Sequence, residues 1–513
     1  MKNKIYLVGA GPGDTGLLTL KGKACIETAD VIVYDYLAAV ELLKYARKDA
    51  ELIYVGKKGG DHTLTQDRIN GLLVEKAKQG HTVTRLKGGD PFIFGRGGEE
   101  IEALITENID FEIVPGVTSA IAAPAYAGIP LTHRKFTSTV TFITGHEDPA
   151  KKVTSINWKA LAENGGTLVF LMGVKNLENI VARLLKNKMD KNTPAALVRW
   201  GTTTHQEAVA GTLATITKKV KAAGLKAPCI IVVGDVVSLR DKMKWFENRP
   251  LFGKKIVVTR ARTQASDLVT RLSVLGAQCI ECPVIKIIPP ENYALLDTAI
   301  DTLSTYEWII FTSVNGVDSF FARLTEKEKD ARALGHIRTA CIGPVTAARL
   351  GSYGINTDIL PENYRAESII SAFKNQTVAG ARMLLPRAEQ ARPILPEELT
   401  KMGANVDEIA AYRTVNDIEN ADRLIGQLEK RTVDLITFTS SSTVTNFKNL
   451  IPENRFEELL AGVTIASIGP ITSQTAEKNG FTVHITSEDY TIPGLCDAIL
   501  KYYDLNSYLI GYY

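Results

Sequence analysis

The stretch from Arg85 to Glu100 constrains the fold more than any other part of the chain. Val83 and Leu86 place a short apolar strand at its start, and Glu99 to Asn108 reads as a helix at its end. Between them lie five glycines (Gly88, Gly89, Gly95, Gly97 and Gly98), together with Asp90, Arg96 and the triplet Phe92, Ile93, Phe94. A strand that runs through glycines into a helix is an α/β connection, and glycines let backbone N–H groups approach a ligand without a Cβ in the way. Arg85, Lys87 and Arg96 suit carboxylates, and Asp90 suits a cationic or hydroxyl-bearing partner. By itself the stretch is either a glycine-rich turn or a ligand loop.

At 513 residues the chain exceeds a single core, and about two to four domains are expected. Sixty basic against 57 acidic side chains, net +3, leave no electrostatic footprint for nucleic acid. The apolar run Cys229 to Val237 is cut by Asp235, so no membrane span is expected. The N-terminus runs straight into glycines and Asp14, unlike a signal peptide. Six cysteines scattered through apolar segments point to a reduced, cytoplasmic protein. Cys279 and Cys282, without a second pair or nearby histidines, read as part of a core strand, and no metal site is expected.

Ile5 to Val8 is a short buried strand that leads into Gly9, Gly11, Pro12, Gly13 and Asp14. A dinucleotide fingerprint fails here, because Asp14 stands where the third glycine belongs and Pro12 lacks an N–H. Tyr34 and Asp35 end a second strand, and Lys57 follows a third; α/β folds place functional groups at such ends. Thr65 caps a helix with Ile69, Leu72, Leu73 and Ala77 on its buried face. His62 and His81 flank that helix without ligand-like spacing. Pro115 and Gly116 precede an alanine-rich helix and mark an expected hinge between two lobes.

With these neighbours, the Arg85 to Glu100 stretch closely resembles the signature of uroporphyrinogen-III C-methyltransferase, in the tetrapyrrole methylase family. The resemblance runs from residue 1 to about 245. It implies a two-lobed fold (about 1–115 and 118–245) and a homodimer formed through this half. It also implies S-adenosylmethionine held by Pro12, Gly88, Gly89, Asp90, Ile93, Thr118, Ser119, Met172 and Gly201. Asp35 takes the place of the family's proton acceptor and Lys57 that of its proton donor.

Charge, then Pro250 and Gly253, break the chain near 248, where a domain boundary is expected. The remainder repeats itself. Phe311-Thr312-Ser313 and Phe438-Thr439-Ser440 lie 127 residues apart, as do Gly276 and Gly403, and Arg260 and Arg387. Such an offset means two copies of one β-α-β plan, with a ligand in the cleft between two lobes. Thr312, Ser313, Thr346, Ser440 and Thr472 cluster where strands give way to helices, as anion-binding hydroxyls or as plain N-caps.

This second plan resembles uroporphyrinogen-III synthase over roughly 252–502, carried by the Phe-Thr-Ser and Ile-Gly-Pro pairs and by Arg387 with Tyr412. It implies interleaved lobes: about 252–288 plus 418–502, enclosing 290–413. Tyr412 matches a tyrosine assigned as proton donor in ring closure, or is a cleft-wall aromatic. Arg260, Arg387 and Arg392 either neutralise the carboxylates of a linear tetrapyrrole or solvate the cleft rim.

The expected fold class is therefore α/β throughout: a two-lobed tetrapyrrole methylase fold (1–247), then a two-lobed synthase fold with interleaved lobes (248–513). Together the resemblances imply a bifunctional enzyme. One half would close hydroxymethylbilane to uroporphyrinogen III, and the other would methylate it at C-2 and C-7 to precorrin-2, for sirohaem or cobalamin. Its partners would be small tetrapyrroles rather than nucleic acid or membrane. The rival classes are a nicotinamide-dependent oxidoreductase and, for the second half, a non-catalytic binding module.

Overall fold

A computed structural model describes residues 4–56, 64–146, 154–259, 262–361, 366–416 and 418–503. Lys57, His62 and Arg260 lie outside these described residues. The chain divides into two compact units between Lys254 and Lys255, with Leu272–Gln278 packed onto the first.

The first unit opens with five strands: β1 (Lys4–Gly9), β2 (Val31–Tyr34), β3 (Glu51–Tyr54), β4 (Val83–Lys87) and β5 (Asp110–Val114). They form one sheet in the order β3-β2-β4-β1-β5, parallel throughout. Parallel neighbours need crossovers, supplied by α1 (Leu20–Thr28), α2 (Gln66–Lys78) and α3 (Gly97–Thr106). Successive strand residues alternate faces, so Ile5, Leu7, Val31, Val33 and Val83 meet α2 and α3, while Val8, Ile32 and Leu86 meet α1. Thr65 caps α2 as its sequence predicts, accepting from Arg68 N at 3.4 Å. α3 begins at Gly97 rather than Glu99, because Arg96 adopts a left-handed backbone (φ 59°) that turns the chain directly into the helix.

α4 (Ser119–Tyr126) leads into a second sheet: β6 (Val140–Thr144), β7 (Thr167–Leu171), β8 (Pro194–Arg199), β9 (Glu207–Thr212) and β10 (Cys229–Val233). Its order is β6-β7-β10-β8-β9, and β10 runs antiparallel to both neighbours. β7 and β8 therefore point the same way and deliver their following loops to one edge. Ala120, Ala123 and Ala127 of the α4 segment pack on Val169, Ala196 and Val232 of this sheet.

The second unit carries β11 (Lys255–Val258), β12 (Gln278–Glu281), β13 (Ile285–Ile288), β14 (Trp308–Phe311), β15 (Arg338–Cys341), β16 (Arg382–Ala388), β17 (Asn405–Asn416), β18 (Leu435–Phe438), β19 (Thr464–Ser467) and β20 (Ile485–Thr486). One sheet, β12-β11-β18-β19-β20, takes strands from both ends of this segment. The other, β13-β17-β16-β14-β15, takes only the middle. The lobes are interleaved. Cys282, beside β12, lies in the core of the first of these sheets with Val257 and Ile436. Among the described residues no helix is long and apolar enough to cross a membrane, and no cluster of His, Cys, Asp or Glu could hold a metal ion.

Candidate active sites

Sheet order decides which loops of the first unit meet. β4 is central, with β2 on one side and β1 on the other, and β5 lies beyond β1. The loops leaving the carboxyl ends of these strands are therefore neighbours, the position where open α/β sheets bind ligands. Gly11 and Gly89 exchange two backbone hydrogen bonds of 3.2 and 2.7 Å. A Cβ on Gly9 would lie 2.5 Å from Gly116 Cα and 2.6 Å from Gly89 O. The three loops pack backbone on backbone, and only glycine permits it. Gly88 is confined likewise, since its Cβ would sit 2.5 Å from Leu37 Cβ.

Asp90 fastens this arrangement. Its Oδ1 accepts from Phe92 N (2.8 Å) and Ile93 N (3.1 Å), and its Oδ2 accepts from Gly116 N (3.0 Å). The carboxylate thus orders the loop rather than standing open to a cationic partner. The same bond holds the turn at Pro115 and Gly116, where a hinge is expected, against Gly9 and Gly89.

Gly89, at φ +70°, leaves one opening. A Cβ there would meet nothing nearer than Thr118 Cα at 3.8 Å and Ser119 N at 3.9 Å. Thr118 caps α4, and Ser119 begins it. Gly89, Thr118 and Ser119 therefore border one backbone-lined recess, and Ile93 lies partly exposed in the loop whose N–H groups Asp90 holds. Pro12 follows the paired Gly11.

The second sheet supplies the opposite wall. Met172 follows β7 with its side chain exposed and φ +58°, and Trp200, Gly201 and Thr202 follow β8. A Cβ on Gly201 would come within 2.7 Å of Ala123 Cα, so this loop lies flat on α4. Thr202 Oγ1 accepts from Asp14 N at 3.1 Å, and the Tyr36 and Trp200 rings meet edge-on at 6.1 Å. Asp14 also accepts from Tyr126 OH at 2.7 Å. The Gly9 to Asp14 loop is thereby tied to the second sheet, a geometry unlike a pyrophosphate cradle. Phe94, Arg96, Met172, Trp200 and Thr202 all hold positive φ, and such strained non-glycine positions gather at functional sites.

Asp35 stands beside these loops. Arg85 Nη2 donates to its Oδ2 at 3.2 Å and Leu37 N to its Oδ1 at 3.1 Å. The carboxylate remains partly exposed, 27%, over a guanidinium that is 3% exposed. It is oriented from below by Arg85 and open above.

In the second unit, Thr312 and Ser313 follow β14, and Ser313 caps the helix Val314–Glu326 by accepting from Gly316 N at 3.0 Å. Its hydroxyl also meets the Tyr412 hydroxyl at 3.1 Å, which sequence reading did not anticipate. Tyr412 is 7% exposed and sits where β17 shifts register against Ala388. Ser440 caps the matching helix Ser441–Leu450 with almost the same backbone angles, −166° and 159° against −162° and 157° for Ser313. Thr346 and Thr472 are buried in the first turns of Pro344–Gly351 and Pro470–Lys478.

The arginines divide. Arg387 is 3% exposed; its Nε donates to Glu408 Oε1 at 2.8 Å and its Nη2 to the Arg392 carbonyl at 2.8 Å. It is committed inside the protein, whereas Arg392 is exposed. Arg387 and Arg392 are thus neighbours with different exposure, while Arg260 lies outside the described residues.

Comparison with known proteins assigns both halves. Residues 4–217 match the family "Tetrapyrrole (Corrin/Porphyrin) Methylases", and residues 266–497 match "Uroporphyrinogen-III synthase HemD". A "Porphyrin biosynthesis protein HemD" of Ruminiclostridium josui is 39% identical over 97% of either chain. The chain belongs to both families, as a methylase–synthase fusion. The methylase half is also similar to an "S-adenosyl-L-methionine-dependent uroporphyrinogen III methyltransferase" of Methanosarcina barkeri, at 56% identity over 46% of this chain and 93% of that one. A "Uroporphyrinogen-III C-methyltransferase" of Bacillus subtilis is 45% identical over 65% and 68%. The fusion is bifunctional, with S-adenosylmethionine as the cofactor of its methyltransferase half.

Proposed function

We propose that the synthase half closes hydroxymethylbilane to uroporphyrinogen III, and that the methylase half then methylates it at C-2 and C-7 to precorrin-2, for sirohaem or cobalamin. One observation carries this reading: both family matches lie in a single chain that aligns over 97% of its length with one relative named for porphyrin biosynthesis.

In the methylase half the backbone recess bordered by Gly89, Thr118 and Ser119 fits a cofactor that must be approached without intervening side chains. Pro12, Gly88, Gly89, Asp90, Ile93, Thr118, Ser119, Met172 and Gly201 would hold it, Asp90 by ordering the loop. When bound, S-adenosylmethionine supplies an electrophilic methyl group. Asp35 accepts the proton that the macrocycle releases after methylation, with Arg85 fixing its direction. Lys57 is assigned the proton-donor role from sequence alone.

In the synthase half, ring closure expels the terminal hydroxyl of the bilane as water, which needs a proton. Tyr412, hydrogen-bonded to Ser313, assists that departure by positioning the leaving group, with proton donation as the alternative that a Tyr412→Phe assay tests. Thr312, Ser313, Thr346, Ser440 and Thr472 offer hydroxyls and helix-start N–H groups to the substrate's carboxylates, with Arg260 and Arg392 as countercharges. Arg387 is left to support Glu408. The chain works as a cytoplasmic homodimer joined through its methylase half, which sedimentation of the intact protein against a methylase-deleted chain would check.

Anaerobic incubation with hydroxymethylbilane, with and without S-adenosylmethionine, tests the whole reading. Type III uroporphyrinogen without cofactor, gaining two methyl masses with it, is expected. Type I isomer alone from folded protein would sink the synthase assignment.

A further inference from the structure

Beneath the glycine loops lies a charged cluster of which methyl transfer, as described so far, uses only Arg85. Val83, Arg85 and Lys87 share the face of β4 that α2 and α3 cover. Arg85 and Lys87 are 3% and 4% exposed, and opposite them α3 presents Glu100, at 0%. Glu100 Oε1 accepts from Lys87 Nζ at 2.6 Å, from Gln66 Nε2 at 3.2 Å and from Arg85 Nε at 3.3 Å. Its Oε2 has no partner among the described residues. The far end of the same guanidinium donates to Asp35. Burial, and after it the Arg85 charge, push the Lys87 ammonium below the ordinary lysine range.

Such a cluster is a poor way to gain stability, because well-packed apolar side chains of similar volume generally do as well or better. Its position supplies a different reason. Arg85 is shared between a fully buried carboxylate and a partly exposed one at the mouth of the site. Tyr54 also lies within electrostatic reach of Asp35; burial, and after it the Asp35 carboxylate, push its phenol above the ordinary tyrosine range. Two buried cations and one buried anion therefore stand directly behind Asp35.

We propose that Glu100 is a positioning residue for methyl transfer: by sharing Arg85 it limits how tightly Asp35 is held as a carboxylate, with Lys87 completing the balance. This rests on Asp35 being the proton acceptor. Glu100→Gln keeps the shape but leaves both cations to Asp35 alone, making it a poorer acceptor. Adding Lys87→Met restores the net charge.

The test uses the full chain with uroporphyrinogen III and S-adenosylmethionine. Glu100→Gln should lower kcat for methyl transfer about tenfold, with KM and the calorimetric Kd for the cofactor unchanged. The Lys87→Met/Glu100→Gln double variant should recover most of the rate. In an Asp35→Asn background, Glu100→Gln should lower the residual rate no further, as residues acting through one another are non-additive. A loss that persists in either background, or that comes with an equal rise in Kd, overturns the proposal. Wild-type methylation by Asp35→Asn would instead remove Asp35 from its role, and the proposal with it. Should Glu100→Gln fail to fold, the double variant against Lys87→Met alone carries the same comparison.

Discussion

In the first half of the chain, Gly9, Gly89 and Gly116 lie backbone against backbone; in the second, Ser313 and Ser440 close their loops with side-chain hydroxyls. Both devices present main-chain N–H groups at the carboxyl ends of parallel strands. They differ in what they tolerate. A Cβ at 2.5 Å from a neighbouring Cα cannot be accommodated without moving backbone, so the first device is written in glycine. An N-cap accepts Ser, Thr, Asp or Asn at similar cost, so the second device is written in a loose alphabet. This is why one half carries a long, sharp motif and the other a diffuse one.

The contrast can be broken in stages. The largest effect should come from Asp35→Ala, which is expected to lower methyl transfer by about 10²–10⁴-fold while leaving bilane cyclisation intact. Parallel assays of both activities on one preparation check this; a joint collapse would mean the halves are not functionally separable. Next comes Gly89→Leu. The side chain would fill the recess beside Thr118 and force a leucine to φ +70°, so cofactor affinity should fall by about tenfold or more by calorimetry. Unchanged affinity would take the central loop out of the binding site.

Smaller effects are expected from the hydroxyls. Tyr412→Phe removes the partner of the Ser313 hydroxyl and should slow ring closure a few-fold, about 1 kcal/mol, if positioning dominates over acid catalysis. Complete loss of type III product would make Tyr412 the proton donor. Ser313→Ala and Ser440→Ala should each cost about 1 kcal/mol of stability in denaturant titration, by equal amounts if the caps are equivalent. A much larger cost at Ser313 would show that its bond to Tyr412 adds to the cap.

Much of this was legible in the sequence because local chemistry and tertiary role coincide. The strands around Gly9, Asp35 and Gly89 follow from apolar runs that end in glycine or acid, and the Thr65 cap from its spacing to an apolar face. The interleaved lobes came from resemblance, since no local pattern says that β11 pairs with β18. Side-chain pairing was the least legible. Arg387 looks like any cleft arginine until Glu408 is seen beside it, and Asp90 like a ligand until three N–H groups claim it. Glu100 did leave a trace: it stands four residues before Leu104, on a helix face that is otherwise apolar, where a carboxylate belongs only if something buried answers it.

The interleaving of the second half has a consequence during synthesis. Lys255 donates its backbone N–H to Asp434 across a separation of 179 residues, and Thr437 reaches back to Val257 across 180. When β11 and then β12 leave the ribosome, the partner for the other edge of β11, β18, does not yet exist. The enclosed lobe, β13 to β17, can pair within itself, and β11 can pair with β12 soon after it emerges, but the other edge of β11 stays open until β18 follows. Both sheets of the methylase half, β1 to β10, have emerged by then and are able to fold. A nascent chain of this enzyme therefore carries those two sheets ahead of an exposed edge, and that edge is where chaperone contact and aggregation are expected to concentrate.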